Sequence, residues 1–371
     1  MRISLLLILL SLAPFADAQK RKTVVSITGQ DFYINGKITL EGRTYNGMRL
    51  EGLLPNSRMV QGIFDDYNIQ TKGFWKYPDS QQWDAERNTN EFVSAMADWK
   101  SHGLLAFTLN LQGGSPFGYS ANQQTWKNSA FQEDGTLDQK YMLRLERILA
   151  RADELGMVVI LGYFYFGRDQ NLKDEASVRR AVWLATQWVL DKEYRNVLVE
   201  INNECDINNL AAKGSKVDPY NHPILDHHNV HELILLAKSV KKNGKSLLVS
   251  TSFTGGFVPT DNVLNVADFV LIHGNSVSKP EQIVNLIRDV RAKPAYKGNP
   301  VVINEDDHFD FEKPFNNFIA ATQEHVSWGY FDYRMKDEKF QDGYQSVPVD
   351  WGINSERKKS FFGLLKKMIQ H

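Results

Sequence analysis

From about residue 88 onwards, short runs of consecutive apolar residues alternate with longer stretches in which apolar positions return every three to four residues. The first pattern is that of a strand buried on both faces, the second that of an amphipathic helix lying over a sheet. Strand-type runs fall at residues 104–109, 157–161, 197–201, 247–250, 269–272, 301–303 and 328–331. Between them lie helix-type stretches. The first opens at Asn88-Thr89-Asn90-Glu91, carries Phe92, Met96 and Trp99 on one face, and stops at Gly103. The second carries Tyr141, Leu145, Ile148, Ala152 and Leu155 and stops at Gly156; the third carries Val178, Ala181, Ala185 and Trp188. Three more follow, one through Val230, Leu233, Ile234, Ala237 and Val240, one from Pro280, and one after Pro314.

Residues 59–64 are expected to form one further strand, ending at Asp65-Asp66, which makes eight β/α units. Eight such units close as a (β/α)₈ barrel, whereas an open doubly wound sheet usually has fewer strands and often a glycine-rich phosphate loop. The sequence has no G-x-G-x-x-G or Walker-type motif. Ahead of the first strand, Phe32-Tyr33-Ile34-Asn35-Gly36-Lys37 reads as a strand entering an Asn-Gly turn, hence an N-terminal β-hairpin, expected to plug the bottom of the barrel. No repeat or linker divides the chain, so residues 19–371 are expected to form a single α/β domain.

Composition changes this picture little, except at the start. The chain has 371 residues, 43 basic against 44 acidic, so no basic surface for nucleic acid is indicated. Arg2, the apolar run from Leu5 to Leu12 and Ala16-Asp17-Ala18 have the order of a secretory signal peptide cleaved after Ala18. The run is shorter than the ~20 apolar residues that span a bilayer. A secreted or periplasmic protein with no membrane span after cleavage is therefore expected. Cys205, the single cysteine, excludes an intrachain disulfide, and no Asn-x-Ser/Thr sequon occurs.

In a barrel of this type the reactive groups stand just past the carboxyl ends of the strands. Strand four is followed by Asn202-Asn203-Glu204-Cys205-Asp206 and strand seven by Asn304-Glu305-Asp306-Asp307-His308. Two glutamates facing each other across the barrel mouth suit cleavage of a glycosidic bond, which needs a proton for the leaving oxygen and a carboxylate for the cationic sugar ring. Strand six ends in His273-Gly274-Asn275 and strand two in Asn110.

These stretches resemble a known family. Val199-Glu200-Ile201-Asn202-Asn203-Glu204, Val301-Val302-Ile303-Asn304-Glu305 and the entry strand Phe32-Tyr33-Ile34-Asn35-Gly36-Lys37 are similar to motifs of the retaining (β/α)₈ glycoside hydrolases of clan A, typified by the cellulase-like family 5 enzymes. The resemblance implies Glu204 as acid/base and Glu305 as nucleophile, with Asn203 bonding the sugar 2-hydroxyl and His273 lining the cleavage subsite. It also implies a poly- or oligosaccharide substrate and no cofactor. Asn110, Asn275, Asp65, Tyr165 and Trp351 complete the expected substrate contacts. Three positions depart from the pattern: Cys205 stands where a proline is usual, Asn275 where a tyrosine is common, and Asn110 where strand two often has an arginine.

Other features are given plainer readings. His227 and His231, at i and i+4, lack an evident third ligand and are read as a solvated helix start. Asp306, Asp307, His308 and Asp310 do not have calcium-loop spacing and are expected to hold Glu305 or to touch substrate. Phe74, Trp75, Trp83, Trp126, Tyr163 and Tyr165 serve equally as sugar platforms or as loop packing. Cys205 is read as packing. The rival functions are a carbohydrate-binding barrel without catalysis and a metal-dependent barrel hydrolase, which would want a His-x-His on strand one; none is there.

Overall fold

The computed structural model describes residues 21–119 and 125–370, so the expected signal peptide lies outside the described residues. The chain forms the (β/α)₈ barrel. Its strands are β1 (Asn56–Arg58), β2 (Ala106–Asn110), β3 (Val158–Phe164), β4 (Val197–Asn202), β5 (Leu248–Ser250), β6 (Val270–His273), β7 (Val301–Glu305) and β8 (Gly329–Tyr330). Strands β8 and β1 to β5 pair in parallel as one sheet, and β6 pairs in parallel with β7. Bridges Val302–Ser327 and Asp306–Tyr330 join β7 to the β8 segment, and Asp268 N–H donates to the Val249 carbonyl between β5 and β6.

Helices cover the outside, as the apolar periodicity requires. Helix α1 (Ala85–Ser101) is capped by Asp84, α2 (Gln139–Leu155) by Asp138 and α3 (Glu175–Asp191) by Asp174, each carboxylate accepting from first-turn N–H groups. Gly156, at φ 66°, ends α2 in the left-handed conformation that glycine adopts without steric cost. A short helix α4 (Ile207–Ala212) follows β4, and α5 (His231–Ser239), α6 (Asp261–Leu264), α7 (Pro280–Ala292) and α8 (Asn317–Gln323) continue the series. Helix α9 (Glu356–Gln370) buries Phe361, Phe362, Leu365 and Met368 against the barrel. Among the described residues, no helix is long and apolar enough to cross a membrane.

Two expectations shift. Helix α1 begins one turn before Asn88, because Asn88 and Thr89 do not cap it; their side chains donate to the Gln61 and Gly62 carbonyls at 2.8 Å. For the same reason residues 59–64 are not the first strand. They form a buried turn whose carbonyls those side chains satisfy, and Gly62 approaches so closely that a Cβ there would lie 2.8 Å from Phe92. The first strand is the more polar Asn56–Arg58 just before it. Its side chains tie neighbouring strands: Asn56 donates to the Ile303 carbonyl (3.2 Å) and Ser57 to that of Tyr330 (3.0 Å).

The N-terminal segment is a three-stranded antiparallel unit over residues 25–38, with Asn35 and Gly36 both at positive φ in the turn. Val25 and Phe32 pack against Leu54, Leu105, Val158, Leu198, Phe269, Leu271 and Val302, which come from the beginnings of barrel strands. The bottom of the barrel is thus closed by apolar side chains, and its polar groups collect at the other end.

Candidate active site

The top of the barrel is organised around two strand ends. After β4 the chain turns sharply: Glu204 has φ 52°, a left-handed conformation uncommon for a residue with a long side chain. The turn is held by the segment just past β5, since Glu204 N–H donates to Ser252 Oγ (2.9 Å) and Cys205 N–H to the Ser252 carbonyl (2.9 Å). Tyr220 reaches back from the following loop to bond the Asn203 carbonyl at 2.6 Å.

Opposite, the β6–β7 register slips by one residue, so that His273 pairs with Glu305 after Ile272 has paired with Ile303. That irregularity sets His273 between the two carboxylates. Its Nδ1 lies 3.0 Å from Glu204 Oε1 and 3.7 Å from Glu305 Oε2. One oxygen of Glu204, one of Glu305 and a ring nitrogen of His273 all fall within 4.8 Å of one another.

Glu305 is heavily supported. Arg58, at the end of β1, places Nε 2.7 Å from Glu305 Oε2, and Asn275 Nδ2 donates to Oε1 at 2.5 Å. Arg58 Nη2 also donates to Asn203 Oδ1 (3.0 Å), linking the two strand ends. Beneath, Asp306 is fully buried and accepts from Trp328 Nε1 (2.8 Å) and Asn317 Nδ2 (3.0 Å), which pins the backbone immediately after Glu305.

Burial pushes the Glu204 carboxyl up, against the opposing hydrogen bond and charge of His273. Burial alone would lower the His273 imidazole, but the Glu305 and Glu204 carboxylates outweigh it and hold it above its ordinary value. The Arg58 guanidinium is likewise held up by Glu305, despite complete burial. At the rim, burial pushes Asp307 up to about 6. The three clustered side chains Glu204, His273 and Glu305 could chelate a cation. Arg58, however, already supplies a positive charge 2.7 Å from Glu305, which opposes a second one there.

A cavity of about 330 Å³ opens over these groups, at the lower end of the usual ligand-pocket range. Of the expected contacts, Glu204, Glu305, Asn275 and Tyr165 line it. Asn203 and His273 sit just below, engaged with Arg58 and Glu204. Asn110 lies deeper in the barrel, against Gly162 and Glu200, because it points inward one layer beneath the carboxylates. Asp65 and Trp351 are placed elsewhere. Asp65 accepts from Trp83 Nε1 (3.1 Å) in the loop after β1, a position that follows from the strand ending at Arg58 rather than at Phe64. Trp351 is core: it packs on Phe92 and Tyr344, and its indole N–H donates to Asn88 Oδ1 (3.1 Å).

Trp75, Trp83 and Trp126 gather with Phe64 beside the cavity rather than on its wall, so they pack the long loops together. Tyr163 is buried and bonded to Thr186 at 3.0 Å. The residues that strand-end reasoning missed are Arg58, Tyr119, Phe331 and Gln345. For Arg58 a signal existed, a charged residue closing the short segment that begins at Leu53-Leu54, and Phe331 closes the expected last strand; Tyr119 and Gln345 lie in loops with no periodic signature.

No protein-family model matches the chain, and no curated protein matches it by sequence. Solved structures do match. An endo-1,4-β-mannanase from Rhizomucor miehei superposes over 94% of this chain and 100% of its own, with TM-score 0.54 and 12% identity. A β-mannanase from the blue mussel Mytilus edulis covers 93% and 96%, with TM-score 0.52 and 12% identity. A family 5 broad-specificity endoglucanase from Bacteroides salanitronis covers 86% and 93%, with TM-score 0.53 and 10% identity. The chain therefore has the cellulase-like barrel fold of family 5 glycoside hydrolases, in a widely divergent sequence.

Proposed function

We propose that this chain is a secreted glycoside hydrolase that cleaves β-glycosidic bonds with retention of configuration. The observation that carries the proposal is the approach of Glu204 and Glu305 oxygens to within 4.8 Å across the barrel mouth. Retaining enzymes hold their two carboxyl groups ~5–5.5 Å apart, whereas inverting ones leave ~6.5–9.5 Å for a water. The short spacing favours direct attack.

Glu305 is the nucleophile: Asn275 donates to one of its oxygens and Arg58 Nε stands 2.7 Å from the other, which holds the carboxylate in place and aimed. Glu204 is the acid. Its raised pKa keeps the proton available, and His273 holds Oε1 so that the other oxygen can deliver it. In the first step Glu305 bonds to the anomeric carbon while Glu204 protonates the departing oxygen. In the second, Glu204 takes a proton from water, the water oxygen bonds to the anomeric carbon, and Glu305 leaves as carboxylate. The apolar leader at residues 5–12 supports export, with cleavage after Ala18.

The test is a screen of β-glycosides with Glu305→Gln and Glu204→Gln as controls. Glu305→Gln is expected to lose at least about 10⁴-fold in kcat. Glu204→Gln should lose far less on aryl glycosides with acidic leaving groups than on alkyl ones. Wild-type turnover in Glu305→Gln would sink the proposal.

A further inference from the structure

Behind Glu204 the cavity wall is mainly apolar. Ile207 and Leu210 follow it on α4, Val217 comes from the return of the same loop, and Phe257 from the loop after β5. Phe257 is 37% exposed, so part of this apolar surface faces solvent, with Lys213 Nζ 5.9 Å from the ring centroid. Ser215, Thr254 and Ser276 are the polar neighbours on this side, and the Thr254 hydroxyl is committed to Asp206 Oδ2 at 2.8 Å. The amide-bearing side chains lie on the other flank: Asn275 on Glu305 itself, and Gln345 bonded to the Gly118 carbonyl (3.1 Å) near Tyr119 and Phe331. Among the described lining residues, Glu204 and Glu305 are the only charged ones.

The proton donor must face the glycosidic oxygen, so the leaving group lies on the Glu204 side and the retained sugar on the Glu305 side. A sugar leaving group would bring several hydroxyls against a wall with few partners for them, and desolvated hydroxyls left unpaired cost binding energy. An apolar group placed there would instead cover Leu210, Val217 and Phe257 and gain from removing them from water. We infer that the leaving group is an apolar alcohol, alkyl or arylalkyl, rather than a second sugar. This inference rests on the glycosidase reading above and narrows its substrate class.

The experiment compares, for each of a set of β-linked sugars, the methyl glycoside, the 2-phenylethyl glycoside and the corresponding 1,4-linked disaccharide. The first two leave as simple alkanols of similar acidity, so a difference between them reports contacts rather than leaving-group chemistry. For whichever sugar is cleaved, kcat/KM for the 2-phenylethyl glycoside should exceed that of both others by at least about tenfold, a modest return for burying one phenyl group. In Leu210→Ser and Phe257→Ser that ratio should fall several-fold. A disaccharide cleaved as well as or better than the phenylethyl glycoside, or a ratio untouched in both variants, overturns the inference while leaving the glycosidase reading standing. Cleavage of none of the glycosides overturns both, and is recognised by its independence of the leaving group.

Discussion

His273 shows how a single side chain sets the chemistry of its neighbours. Its ring N–H on Glu204 Oε1 favours the ionised carboxylate, while burial favours the protonated one and wins. Proton donation requires protonated Glu204, so activity should fall as pH rises through the raised Glu204 pKa. Removing the imidazole removes the group that opposes the rise. In His273→Ala the alkaline limb of kcat/KM against pH should therefore move to higher pH, with His273→Gln, whose amide still donates, in between. A limb that stays in place in both variants would show that Glu204 is not the titrating acid. At this scale the two glutamates were legible from sequence because each ends a strand buried on both faces. Arg58 was not, since its strand was placed too late, and the same displacement made Asp65 look like a strand-end residue. Trp351 misled for a different reason: an aromatic residue in a long loop has the same letter whether it stacks on a ligand or fills the core.

Among the elements, the loops after β5 and β6 depend on close backbone approach. A Cβ on Gly255 would lie 1.8 Å from the Asn275 carbonyl oxygen, a backbone atom that cannot rotate away. Gly255→Ala should push the two loops apart, withdraw the Asn275 amide from Glu305, and cost about 1–3 kcal/mol of stability. Urea unfolding and kcat measured together check this, and wild-type values for both would refute it. The later strands and the long helices were readable because burial on two faces or on one stripe leaves a periodic record. β1 left none. It has three residues, Asn56, Ser57 and Arg58, whose polar side chains are consumed by tethers to neighbouring strands and to the site. Helix α4, only six residues long, is too short for its period to show.

Over the whole molecule, the two ends of the barrel have separate duties. Phe32 is fully buried in the apolar layer at the bottom, far along the strands from the carboxylates. Phe32→Ala should lower stability by about 3–5 kcal/mol and leave KM unchanged. Calorimetry with steady-state kinetics decides it; a raised KM with an unmoved Tm would show that the plug serves the site instead. The eightfold architecture and the entry hairpin could be read from the chain because both follow from periodicity and an Asn-Gly turn. The cavity could not, as it is built where loops from distant parts of the sequence meet.

The left-handed turn at Glu204 bears on how such a protein tolerates change. An ordinary side chain held there costs roughly 1–2 kcal/mol, which glycine escapes. Glu204→Gly is expected to be inactive on alkyl glycosides and yet to melt at a higher temperature than the wild type; a lower Tm would count against this. Sequence drift filtered for robustness alone would erase this glutamate early, so its persistence in a lineage would itself testify to selection for turnover.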